Sequence, residues 1–222
     1  MLGLKKMLRR GKTAKTGLPQ DIQQAISDWQ ESAAPNLTAA HYRTRYVVLD
    51  LKTSGFDPAQ DQLLGMSAIA LREGGCIIPG DAIALDFSGR DESLPSIDRQ
   101  LTAFLHFTAK APLVCYHWAF IRAFLERAYK AQLGIDLQPP VIDLAWLLPA
   151  VFDDMEPSVQ PLDTWLERFG MAANGRRDAM DNTLALARLM QRLLARASDK
   201  GLTSAARLIE ETTATSHLRR TY

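Results

Sequence analysis

Asp50 closes an apolar run, Arg45-Tyr46-Val47-Val48-Leu49-Asp50-Leu51, and Lys52 follows it at once. Side chains alternate across a strand, so a carboxylate and an ammonium project from one face at the strand's end. A turn follows, with Asp57 before Pro58 as a turn residue. A carboxylate in that place can ligate a divalent cation, and a lysine beside it opposes one. Downstream, Tyr116-His117-Trp118 stands where a short apolar run gives way to a helical pattern. An imidazole there can take a proton from an activated water, or it can cap or pack the junction. The flanking rings can stack on nucleobases or fill a core. Asp178 and Asp181 lie at the start of a further helix. A helix turns about 100° per residue, so Asn182 aligns with Leu186, Leu189 and Leu193 facing a sheet. Asp181 aligns with Ala185, Arg188 and Arg192 facing water. That makes Asp178 an N-cap and Asp181 a surface ion-pair partner rather than metal ligands. His41, His106 and His217 are isolated and form no ligand set.

The positioning elements are legible from periodicity. Ile22, Ile26 and Trp29 share one face of a helix over 19–32, and Ala34-Pro35-Asn36 marks a linker over 33–44. Strands are expected at 45–51, 62–71 and 76–87, the last two joined by a Glu73-Gly74-Gly75 turn. A helix over 98–109, a strand over 112–116, a helix over 118–131 and a short strand at 141–143 follow. Helices close the chain near 143–151, 161–169 and 178–197. Three consecutive strands and then alternating helices and strands imply an α/β domain with a mixed sheet.

In this order the segments resemble the DnaQ-like 3′–5′ exonucleases, named DEDDh for their Asp-Glu-Asp-Asp-His active site. Their first motif is a strand ending D-x-E-T-T-G-x-D-P, matched here by Asp50, Thr53, Gly55, Asp57 and Pro58. Leu113-Val114-Cys115-Tyr116-His117-Trp118-Ala119-Phe120-Ile121 resembles the second, L-V-x-H-N-A-x-F-D. Val141-Ile142-Asp143 resembles I-D-T, and Leu162-Asp163-Thr164-Trp165-Leu166 resembles L-D-x-L-A. Arg177-Asp178-Ala179-Met180-Asp181-Asn182 resembles the third, H-x-A-x-x-D. The resemblance covers about residues 44–210. It implies a ribonuclease-H-like mixed β-sheet flanked by helices, with an N-terminal helical extension.

In that family four carboxylates hold two divalent metals and a histidine acts as general base. Carried over position by position, the resemblance keeps Asp50 alone. Lys52 stands at the glutamate position, Ile121 at the second aspartate, Arg177 at the histidine and Asn182 at the last aspartate. The glutamate of the family's second strand falls on Gly65. Asp50 and Lys52 cancel in charge and Arg177 adds a positive one, so no cofactor is expected. Asp50 is the one remaining metal candidate, and Lys52 is expected to pair with it where a metal would sit. The leading expectation is a catalytically inactive exonuclease-fold protein with a binding or regulatory role. Its ligand would be a single-stranded DNA or RNA end, a nucleotide or a partner protein, with Lys52, Thr53, Tyr116, His117 and Arg177 as the nucleic-acid contacts. One alternative is an active exonuclease with a rearranged site that uses Mg²⁺ or Mn²⁺. Another is a protein-interaction module without nucleic-acid binding, with the 19–32 helix as a candidate docking element.

Composition bounds these readings. The chain has 222 residues, 47% hydrophobic and 23% charged, which excludes wholesale disorder, collagen-like repeats and a disulfide scaffold. No apolar run reaches the roughly 18 residues of a membrane span, and the N-terminus develops no apolar signal core. Cys76 and Cys115 lie in apolar stretches, so a cytoplasmic location is expected. The net charge of +1 is the balance of +6 over residues 1–16 and −5 over the rest. The organisation expected is a basic arm at 1–16, a helix and linker at 17–44, an exonuclease-like domain at 45–210 and a tail at 211–222. The arm is either a phosphate-touching segment or a solvated end.

Overall fold

The computed structural model describes residues 17–171 and 178–220, so the basic arm and Arg177 lie outside the described residues. Five strands form one sheet in the order β3-β2-β1-β4-β5. They are β1 (Tyr46–Thr53), β2 (Leu63–Arg72), β3 (Cys76–Asp86), β4 (Leu113–Cys115) and β5 (Val141–Asp143). β1, β2 and β3 are joined antiparallel, while β4 and β5 run parallel to β1. The hairpins follow from short connections; the parallel pairs need crossovers, supplied by α2 (Ile97–Thr108) and α3 (Trp118–Leu133).

Alternation along β1 divides the core in two. Val47 and Leu49 face α1 (Gln20–Glu31), α2 and α3, and pack with Leu101, Phe104 and Leu125. Tyr46 and Val48 face the opposite layer of α4 (Leu144–Val151), α5 (Leu162–Arg168), α6 (Ala179–Asp199) and α7 (Ala205–Arg220). The sheet is therefore covered on both faces, and its central strands read as nearly continuous apolar runs. α1 packs on its own domain: Ile22 and Ile26 are buried, Asp21 pairs with Arg99 at 2.5 Å, and Lys110 sits over the Trp29 ring.

Two segments differ from their sequence reading. α7 runs unbroken to Arg220, through the stretch read as a tail, with Leu208, Thr212 and Thr215 buried. Its sequence is rich in the helix formers Ala, Arg, Leu and Glu but has no apolar stripe, so periodicity does not reveal it. The segment 33–44 is tied down rather than loose. Ala40 bridges Ser204, Ala206 N–H donates to Leu37 O at 2.8 Å, and His41 is buried within a short 3-10 turn. His41 is thus not isolated. Its Nδ1 lies 2.7 Å from Tyr46 Oη and its Nε2 2.6 Å from Leu202 O. The carbonyl accepts from Nε2–H, which leaves Nδ1 to accept from the tyrosine hydroxyl, so burial favours the neutral ring. Among the described residues no helix is long and apolar enough to cross a membrane.

Candidate functional site

The site lies at the C-terminal ends of β1, β4 and β5. Asp50 continues the Tyr46–Val48 series, so its half-buried side chain points to the α6 layer. It pairs across the sheet with Ser67, whose hydroxyl lies 2.7 Å from Thr183 Oγ1 on α6. One residue earlier on that helix, Asn182 Nδ2 donates to Asp50 Oδ2 at 3.1 Å. Asn182 reaches Asp50 because it shares the buried face of α6 with Leu186, Leu189 and Leu193. Burial holds the Asp50 carboxyl above its ordinary range, opposed by the Asn182 and Leu51 N–H groups.

The expected Asp50–Lys52 pair is not formed. Lys52 is exposed, and no ion pair joins it to Asp50 among the described residues. The reason is the neighbouring row of the sheet. Lys52 lies opposite Gly65 on β2, and Gly65 lies opposite Asp86 on β3. With no side chain at Gly65 the lysine senses Asp86, whose carboxyl is held below its ordinary range first by Ser88 and further by Lys52. Gly65 is required in its own right, since a Cβ there would stand 2.8 Å from Leu85 O. Thr53 ends β1, half-buried, just past a register shift.

Tyr116 takes the core role. It is buried among α4–α6 side chains, its hydroxyl donates to Gln160 O, and burial raises its pKa. His117 is exposed, in the left-handed conformation (φ 63°), and its ring meets the Tyr116 ring edge-on at 4.8 Å. It precedes α3 without a side-chain capping bond. Asp143, a residue that sequence reading left without a role, holds this junction. Only 4% exposed, it accepts from His117 N–H at 2.9 Å, Trp118 N–H at 2.8 Å and Ala145 N–H at 3.1 Å. Burial still raises its carboxyl, and burial, with the Asp143 and Asp50 charges adding to it, raises the Cys115 thiol. Ile121 is 1% exposed in the α1–α3 core. Asp178 caps α6 as expected. Asp181 also completes a reciprocal capping box, accepting from Asp178 N–H at 3.3 Å, and among the described residues no ion pair to it is seen.

Phe56 is the functional candidate that residue types did not single out. It is 89% exposed, yet its loop is tightly braced. Asp61 accepts from Ser54 Oγ at 3.0 Å and Asp57 N–H at 2.8 Å, and Arg127 donates to the Pro58 and Asp61 carbonyls. The ring stands 6.2 Å from Phe120 on the first turn of α3. A lone aromatic inside a Gly-x-Asp-Pro turn was the available signal.

A pair of divalent metals does not fit these residues. Among the described residues no three His, Cys, Asp or Glu side chains gather to hold a metal. An amide donor lies on Asp50, Lys52 stands in the row beside it and Ile121 is sealed in the core. Two cavities, of about 380 and 350 Å³, lie elsewhere, beside Arg45 and beside Arg127.

No family model matches the chain. Among curated proteins it is similar to DNA polymerase III PolC-type of Thermotoga petrophila, 24% identical over 172 residues, and of Thermotoga maritima, 26% identical over 173. Each match covers 71% of this chain and 12% of the relative, so the chain spans about an eighth of their length. Among solved structures, E. coli Exonuclease I with a dA16 oligonucleotide aligns with TM-score 0.54 at 17% identity, over 75% of this chain and 42% of that one. Cell-death related nuclease 4 aligns with TM-score 0.50 at 16% identity, over 71% and 66%.

Proposed function

We propose that this chain, whose fold is that of the DnaQ-like 3′–5′ exonucleases, holds single-stranded DNA or RNA ends at the Asp50 site without hydrolysing them. The observation that carries the reading is the Asn182 Nδ2–Asp50 Oδ2 bond of 3.1 Å. Where the family's motifs call for two carboxylates to share metals, this chain has a carboxylate and an amide bonded to each other. The exposed groups around them suit binding. Phe56 and His117 offer rings to a base and Lys52 offers a charge to a phosphate. The solved structures of E. coli Exonuclease I in complex with dA16 and dT13 oligonucleotides, to which this fold is similar over 42% of that chain, support the reading. Cys76 and Cys115 are both free thiols, which suits a reducing, cytoplasmic setting.

The test is a nuclease assay on 5′-labelled single-stranded DNA and RNA with Mg²⁺ or Mn²⁺, beside Asp50→Ala. No shortening by either protein, together with binding competed by linear but not circular single strands, is the expected result. Shortening by the wild type but not by Asp50→Ala would establish an active site and overturn the proposal. Absence of binding would leave a protein-interaction role instead.

A further inference from the structure

We infer that the Asp50 site takes a nucleic-acid phosphodiester without a divalent cation, using the Lys52 ammonium as its positive centre. The inference rests on the end-binding reading above and adds the means by which the phosphate charge is met. A strand end brought to Asp50 carries phosphates into a half-buried carboxylate, and something must offset that repulsion. The described residues gather no metal-binding set. Asp50 has one oxygen committed to Asn182, and the neutral amide adds no negative charge to draw a cation there. Among the described residues Lys52 is the cation nearest in sequence to Asp50, two residues away on the same strand face.

The surroundings of Lys52 show how it is kept for a phosphate. No ion pair joins it to Asp50, and among the described residues its charge acts across the empty Gly65 position on Asp86. Asp86 is exposed and already takes Ser88 N–H at 2.7 Å, so it attracts the ammonium only through water. A phosphodiester, which arrives with its own charge and two free oxygens, competes with that arrangement. Asp86 thus acts as a rival anion that sets the resting position of Lys52. The outcome has two opposite signatures: removing Lys52 weakens binding and removing Asp86 strengthens it.

The experiment is fluorescence anisotropy on the full chain with 5′-labelled oligo-dT and oligo-U of equal length, across a salt series, in EDTA and in Mg²⁺. Binding in EDTA is expected to be as tight as in Mg²⁺ or tighter, because Mg²⁺ competes for the phosphates. Lys52→Ala, and the longer Lys52→Gln, should weaken binding to both strands and reduce the slope of log affinity against log salt by about 0.7, one single-strand phosphate contact. Asp86→Asn should tighten binding about two- to threefold. Asp199→Asn makes the same charge change at the far end of α6, about 25 Å from Asn182 along the helix, and should change nothing. Binding that appears only with Mg²⁺ or Mn²⁺, or an unaltered salt slope in both Lys52 variants, overturns the metal-free arrangement and leaves end binding standing. A wild type that binds neither strand in either buffer overturns the end-binding reading itself. Lys52 is exposed, and an unchanged melting curve for its variants confirms that the readout is binding.

Discussion

Asn182→Asp exchanges the amide donor on Asp50 for a second acid, and its cost can be worked from the geometry. The lost bond is 3.1 Å long and ends on a carboxylate that burial already holds above its ordinary pKa. A hydrogen bond to a charged group contributes about 2 kcal/mol, which for a chain of this size is a fall of about 4–8 °C in melting temperature. The sign of the pH dependence follows from linkage. A carboxyl raised in the folded state gives stability that is full below its ordinary value of 3.8 and lost as pH rises through the raised one. Two acids at this separation cannot both ionise, so the variant raises that pKa further. Its deficit relative to wild type should be largest at pH 8 and should shrink towards pH 5, where one proton is shared. Asn182→Ala removes the donor without adding charge, and its deficit should vary less with pH. The assay is thermal unfolding followed by circular dichroism for the three proteins at both pH values. Asn182→Asp melting with wild type at pH 8, or a deficit equal at both pH values, would refute the reasoning.

Other perturbations have equally direct outcomes. Asp143→Ala orphans three backbone N–H groups and frees His117 from its left-handed conformation; urea denaturation should show a loss of about 3 kcal/mol or more, with Asp143→Asn losing less. Gly65→Ala puts a Cβ 2.8 Å from a backbone oxygen and should cost about 1–3 kcal/mol by the same measurement. For the same reason Gly65→Glu, though it restores the family's acid, should give no Mg²⁺-dependent thermal shift. His41 is held neutral by burial, so its contribution is present above an ordinary pKa of 6.5 and declines as pH falls. Between pH 7.5 and 5.5 the wild type should therefore lose more stability than His41→Gln, read from urea midpoints.

The parts of this protein legible in its sequence are those with a period. Alternation in β1 placed Asp50 and Lys52 on one face, and helical phase turned Asn182 rather than Asp181 towards the sheet. The parts that were not legible depend on neighbours far away in the chain. Asp143 reaches back 26 residues to His117, which requires β4 and β5 to lie side by side. The influence of Lys52 on Asp86 needs two strand registers and a glycine between them. α7 has no amphipathic stripe and is helical because α4 and the 33–44 segment receive it. Phe56 carries no periodic signal, because its exposure depends on a loop braced by Asp61 and Arg127.

The attachment of α6 has a consequence for the order in which the molecule is built. β1, β2 and β3 meet through hairpins, but Asp50 meets Asn182 across 132 residues, and Ser67 meets Thr183 across 116. Contacts of such sequence separation require closure of a long loop and form slowly. During synthesis the sheet's first three strands therefore exist while the carboxylate still lacks its amide. The contacts of Asn182 and Thr183 with the sheet should be among the last to form, and substitutions on the buried face of α6 should speed unfolding far more than they slow folding.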